Sequence, residues 1–120
     1  MPTMVILVLD NVDKLEDVLT AWWDAGSPGI TILESSGAAR YMGRAGARDD
    51  LPIFPSLSSL LAHREIHNRT LFTVLRDGAD LDKLFDATEA VLGPLEKPNS
   101  GIMFALPIVQ ARGHERVQTR

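Results

Sequence analysis

Gly26-Ser27-Pro28-Gly29-Ile30-Thr31-Ile32-Leu33-Glu34-Ser35-Ser36-Gly37-Ala38-Ala39-Arg40 is the stretch on which the reading of this chain turns. Pro28 and Gly29 punctuate its start, where a turn is expected. Ile30, Thr31, Ile32 and Leu33 carry the β-branched, apolar bias of a strand. Ser35, Ser36 and Gly37 then let the backbone turn sharply and leave N–H groups unpaired, and Arg40 follows. Such groups beside a guanidinium can hold an anion. A loop that merely ends a strand has the same composition, and the stretch taken alone admits both readings.

Upstream, Thr3 to Leu9 reads as a first strand. It is apolar on both faces, with Val5, Leu7 and Leu9 on one and Met4, Ile6 and Val8 on the other, so both faces need cover. Asn11 or Asp13 is placed to cap the next helix, and Asp13-Lys14-Leu15-Glu16 has the spacing of a capping box. Val12, Leu15, Val18, Leu19 and Trp22 form a stripe at helical spacing. Trp23 lies beside it, either widening the buried face or meeting a second subunit. Gly26 is a natural stop.

Downstream comes a long irregular segment, 38–68. Tyr41 to Arg48 is rich in Gly and Arg, Asp49-Asp50 reverse the charge, and Leu51-Pro52-Ile53-Phe54-Pro55 is apolar but broken by proline. Ser56 to Ile66 is expected as a short helix, with Leu57, Leu60, Leu61 and Arg64 at compatible spacing. Loops of this length in small domains are functional or disordered, and the apolar content here argues for packing. Thr70 to Arg76 reads as the third strand, Asp77-Gly78 as a turn and Asp80 as a cap. The second helix carries Leu81, Leu84, Phe85, Thr88, Val91 and Leu92, and stops at Gly93-Pro94. Glu96 to Gly101 is a polar loop and Ile102 to Val109 the fourth strand.

Strand, helix, strand, strand, helix, strand is the split βαβ order of a ferredoxin-like α+β fold. The expected architecture is a four-stranded antiparallel sheet with two helices on one face. Residues 1–112 form one domain with a 38–68 loop insertion, and 113–120 a polar tail. No segment remains to cover the other face, whose apolar strands would make a large exposed patch. An oligomer that buries it is the expectation.

With 120 residues, 45% hydrophobic and 23% charged, the chain has the size and composition of one packed domain. A net charge of −4 disfavours general binding to nucleic acid or anionic membrane. The absence of cysteine removes thiolate metal sites and a thiol nucleophile. The longest wholly apolar run, Met4 to Leu9, falls far short of the roughly 20 residues of a membrane span. No signal peptide is read at the start, and a cytoplasmic location is expected.

The run Lys14 to Val18, Ala25-Gly26, and Gly29 through Gly37 to Arg40 resembles the first half of the PII nitrogen-regulatory signalling proteins. Gly101-Ile102-Met103-Phe104-Ala105-Leu106-Pro107-Ile108 resembles that family's last strand. The resemblance covers about two-thirds of the chain and skips the middle loop. It implies a ferredoxin-like homotrimer with its three sheets at the centre and adenine-nucleotide sites in the clefts between subunits. By the same resemblance Thr31 lies near the base, and Gly37 and Arg40 open the long loop. Lys97, Asn99, Ser100 and Gly101 stand in the phosphate-gripping loop, and Arg112 is the nearest match to the basic residues after the last strand. There are departures. Ala39 replaces a second glycine, Tyr41 stands in place of glutamine, the phosphate loop lacks its Gly-Asp-Gly-Lys character, and Tyr41 comes too early to be the modifiable loop tyrosine.

Other chemistry is sparse. His63 and His67 stand four apart and share a face on a helix, but no third metal ligand is evident, and exposed loop histidines are the plainer reading. Arg40, Arg44 and Arg48 recur every four residues, either lining an anion site or lying on a solvated loop. Ser35 and Ser36 lack a nucleophile-elbow motif; Glu34 in the second strand is a candidate base, but a lone strand carboxylate is usually exposed or paired. A small enzyme would need a titratable pair in a dry cleft, and none is recognisable. The expected function is a non-enzymatic PII-like trimeric regulator that requires no cofactor. It binds ATP, ADP, AMP, a cyclic nucleotide or a related small anion, and acts on an unidentified protein effector through the 38–68 loop. The alternative is a non-catalytic interaction module on the same scaffold with the nucleotide site lost.

Overall fold

The central strand, β1 (Thr3–Leu9), has β3 (Asn68–Leu75) on one side and β4 (Ile102–Pro107) on the other, both antiparallel to it. Strand β2 (Thr31–Ser35) pairs antiparallel with β3 at the outer edge, giving the order β2-β3-β1-β4. The computed structural model describes residues 1–37, 68–97 and 101–113. Helix α1 (Leu15–Asp24) follows β1, and α2 (Leu81–Leu92) follows β3. This is the ferredoxin-like α+β arrangement expected from the element order. The expected helix over 56–66 and the remainder of the β2–β3 connection lie outside the described residues.

Local chemistry sets the boundaries. Asn11 wins the competition to cap: its side chain accepts from the Asp13 N–H at 3.1 Å and starts a single 3-10 turn, Val12–Lys14, that runs into α1. Lys14 occupies the α1 cap position with no side-chain bond, so the spacing for a capping box at Asp13 and Glu16 is not used that way. Asp80 caps α2 as expected, accepting from the Lys83 N–H at 3.1 Å, and Gly93 ends that helix with φ 82°. The sequence reads the second strand as Gly29 to Ser36; β2 begins two residues later, at Thr31, and the Gly29 carbonyl is taken by the Thr73 hydroxyl. Strand β3 begins earlier, at Asn68, which pairs with Ser35. Past Pro107 one more bond, Ile108 N–H to the Pro2 carbonyl at 2.8 Å, holds the chain to the sheet before it departs.

Period-two alternation sends Val5, Leu7 and Leu9 to the helix side, where they pack with Leu71, Leu75, Val18, Trp22 and Leu84. Trp22 is wholly buried, and its indole N–H donates to Thr88 Oγ1 at 2.8 Å. The same hydroxyl donates to the Leu84 carbonyl at 2.8 Å, so both polar groups between the helices are satisfied. Trp23 does not widen this face. Consecutive helical residues point about 100° apart, and Trp23 is 45% exposed, as is Val12 at 37%.

The opposite face carries Met4, Ile6 and Val8 from β1 beside Phe72 and Val74 from β3. At its flanks Ile102, Phe104, Leu106 and Leu33 are 57%, 37%, 46% and 50% exposed. The apolar second face read from the sequence is therefore present, with both helices on the other side.

Replacing Thr88 by Val should strand the buried indole N–H and cost about 1–3 kcal/mol, whereas Trp22→Ala should cost about 3–5 kcal/mol. Urea unfolding of the two variants against the parent chain checks both values.

Candidate ligand cleft

Helix α1 ends at Asp24, and Gly26, whose φ of 102° suits glycine, turns the chain back. The Gly26 N–H donates to the Trp23 carbonyl at 3.1 Å and the Ser27 N–H to the Trp22 carbonyl at 3.0 Å. Ser27 is thereby drawn into the interior, where its hydroxyl donates to Thr73 Oγ1 at 2.9 Å. Thr73 in turn donates to the Gly29 carbonyl at 2.6 Å. These bonds fix Pro28 and Gly29 as a rim just before β2.

Below that rim lies a cleft of about 180 Å³. Pro28, Gly29 and Thr31 form one side, Phe72, Thr73 and Val74 the floor, and Gly113 the far wall. Gly113 arrives because the chain beyond β4 passes from one sheet edge toward the other; Arg112, exposed, precedes it in sequence and is not among the lining residues. Among the described residues that line the cleft, none has a titratable side chain. Among the described residues, no group of three or more His, Cys, Asp or Glu side chains is placed to hold a metal ion.

Thr31 and Gly113, the residue after Arg112, thus line one cleft. Other residues singled out in the sequence are not. Gly37 lies two residues past the end of β2, where an added Cβ would sit 3.6 Å from the Asn68 side-chain nitrogen. Gly101 lies just before β4 with φ 106°, and an added Cβ there would stand 2.3 Å from the Val8 carbonyl oxygen. Strands β2 and β4 are three strand spacings apart, about 14 Å, so one chain does not gather Gly37 and Gly101 about the Thr31 cleft. Lys97 is exposed in the turn after α2, where its N–H donates to the Pro94 carbonyl at 3.2 Å. Arg40, Ser100, His63 and His67 lie outside the described residues, as do Arg44, Arg48 and Asn99.

Glu34 takes the plainer of its two readings. Its side chain is 86% exposed and lies 3.5 Å from the Arg69 guanidinium across the β2–β3 ladder, a surface pair of small energetic weight. Ser35, in contrast, faces the open side of the sheet, where its hydroxyl bonds the Asn68 side chain and meets Thr70 Oγ1 at 2.8 Å. This polar end of the open face was missed in the sequence because Asn68 reads as loop. An Asn two residues before Thr70, and so in phase with it on one face of a strand, is the signal that was present.

No family model matches the chain, and no curated protein matches it. Among solved structures, GlnK of B. subtilis superposes with a TM-score of 0.57 at 14% sequence identity. The match covers 90% of this chain and 85% of that one. The chain has the fold of a PII protein. At that identity the likeness extends to the fold, and the PII fold carries over strand order and helix placement without the site.

Gly101→Ala meets both the 2.3 Å approach and the left-handed backbone, and should destabilise by more than about 1 kcal/mol. At Gly29, where an added Cβ meets nothing within 4 Å, alanine should change stability by no more than about 0.5 kcal/mol. Denaturant midpoints at constant m-value compare the two.

Proposed function

We propose that this chain is a PII-like regulatory protein that assembles as a homotrimer and binds an adenine nucleotide, or a related small anion, in clefts between subunits. The observation that carries the reading is the cleft itself. Thr31, singled out by resemblance, lines it, and so does Gly113, next in sequence to Arg112. Phe72, Val74 and Pro28 offer an apolar bed for a flat ring, and the Thr31 hydroxyl offers one polar handle.

Size supports shared occupancy. Sites that enclose a whole small-molecule ligand run to about 300–1,000 Å³, and this cleft holds about 180 Å³. It suits a base, with the phosphates extending beyond. Gly37 and Arg40 at the start of the 38–68 loop, and Lys97, Ser100 and Gly101 before β4, would supply backbone N–H groups and charge from an adjoining copy. The apolar open face gives copies a reason to associate, since Ile102, Phe104 and Leu106 lose water on contact. Ligand occupancy would then favour one state of the 38–68 loop, through which a protein effector is addressed. Residues 1–112 act as one domain in this reading, with 113–120 as a tail, and no catalytic step is assigned. No described helix is long and apolar enough to cross a membrane, and we place the protein in the cytoplasm.

The departures in the phosphate loop favour a second reading, an interaction module that has lost the ligand. Thermal melting with ATP, ADP, AMP and cyclic nucleotides separates the two. Ligand at 100 times its dissociation constant should add about 2.7 kcal/mol, and Thr31→Val should reduce the shift. A flat response to all four overturns nucleotide binding. Native mass spectrometry should give a trimer for the parent chain and monomer for Leu106→Asp. A parent chain that stays monomeric at micromolar concentration overturns the assembly.

A further inference from the structure

Thr73 is 1% exposed in the middle of β3, between Leu71 and Leu75 on the helix side. Valine would fill that position with nearly the same shape but would leave the buried Ser27 hydroxyl and the Gly29 carbonyl without their partner. A buried hydroxyl is tolerated where its hydrogen bonds are made, and here all of them point to the turn before β2. Thr73 Oγ1 accepts from Ser27 and spends its single proton on the Gly29 carbonyl. It therefore has no proton left for a ligand, although it lies in the floor of the cleft.

We infer that Thr73 is a positioning residue for the cleft: through Gly29 it holds the Pro28–Gly29 rim at a fixed height above the floor and so sets where Thr31 stands. Ser27 completes the device. Its backbone N–H is held by the Trp22 carbonyl at the end of α1, so the rim is referenced to the helix layer as well as to β3. Two hydroxyls thus tie a helix end, a central strand and an edge strand at one point. The effect on ligand binding rests on the nucleotide reading above; the effect on the rim does not.

The test uses the full chain with Thr73→Val, Thr73→Ser and Ser27→Ala. Hydrogen exchange reads the rim without any ligand. Thr73→Val should speed exchange at the Gly29, Ile30 and Thr31 amides at least tenfold, with the α2 amides unchanged. Thr73→Ser should restore the parent rates, and Ser27→Ala, which leaves the Thr73–Gly29 bond in place, should raise them less. Calorimetry reads the consequence: Thr73→Val should weaken ATP and adenosine about fivefold to tenfold and leave inorganic tripolyphosphate unchanged. A merely structural role would move all three ligands together. Unchanged exchange at residues 29–31 in Thr73→Val, or Thr73→Ser behaving like Thr73→Val, overturns the assignment. If Thr73→Val does not fold, Ser27→Ala with parent exchange rates overturns the relay through Ser27. A parent chain that binds no adenine compound overturns the nucleotide reading, and the exchange result then decides the rim alone.

Discussion

Strand β1 is apolar on both faces, and both helices lie on one of them. Val5, Leu7 and Leu9 are wholly buried beneath α1 and α2. Met4, Ile6 and Val8 face the other way, in register with Phe72 and Val74 of β3 and with Ile102, Phe104 and Leu106 of β4. The imbalance fixes the character of the molecule. The covered side holds the chain in its fold, and among the described residues the other side presents an apolar surface that no helix covers. On the covered side the two helices are locked by one buried indole. Its N–H reaches the Thr88 hydroxyl, and that hydroxyl is itself anchored to the Leu84 carbonyl. Because the indole N–H and the Thr88 hydroxyl are both bonded, an amphipathic ring sits where an aliphatic side chain would otherwise be needed.

The cleft arises from the way α1 ends. A helix that stops against a sheet must dispose of its last carbonyls, and here the Gly26 and Ser27 N–H groups take two of them. The reversal carries Ser27 inside, and the next carbonyl that would be orphaned, that of Gly29, is met by a side chain of β3 in place of a ladder partner. Strand β2 consequently starts at Thr31, and a step is left between turn and sheet. The chain after β4 closes the far side of that step. Helix termination, strand onset and the cleft are thus one set of hydrogen bonds seen from three directions.

The spread of the candidate residues across the sheet has a geometric cause. A ferredoxin-like sheet puts the second and fourth strands at opposite edges, so Gly37 after β2 and Gly101 before β4 cannot approach one another within a chain. Gly101 has its own reason to be glycine, the close pass over the Val8 carbonyl, independent of any ligand. An anion held by both segments would have to lie where two copies bring unlike edges together. The proposed assembly and the proposed site therefore depend on one another.

The element order was legible in the sequence because each element carried its own local signal. β1 alternates between two apolar faces, α2 opens at Asp80 and closes at Gly93, and both bounds stand in the structure. The exposed apolar face was legible too, since a strand's period of two assigns faces without reference to neighbours. Local signals failed where two residues competed for one role, as at Asn11 and Asp13, or where a partner distant in sequence intervened. Thr73 reads as an ordinary strand residue, and only the fold shows that it shortens β2 from 44 positions away. Asn68 reads as loop until Ser35 is set opposite it. The sequence by itself determined the elements, their order and the greasy second face, all of which follow from spacing along the chain. The tertiary structure alone decided that Trp23 points outward, that Glu34 faces Arg69 on the surface, and that Thr31 shares a cleft with the segment after β4. Those outcomes depend on which remote side chain arrives at a given hydrogen-bonding group, and spacing along the chain carries no information about that.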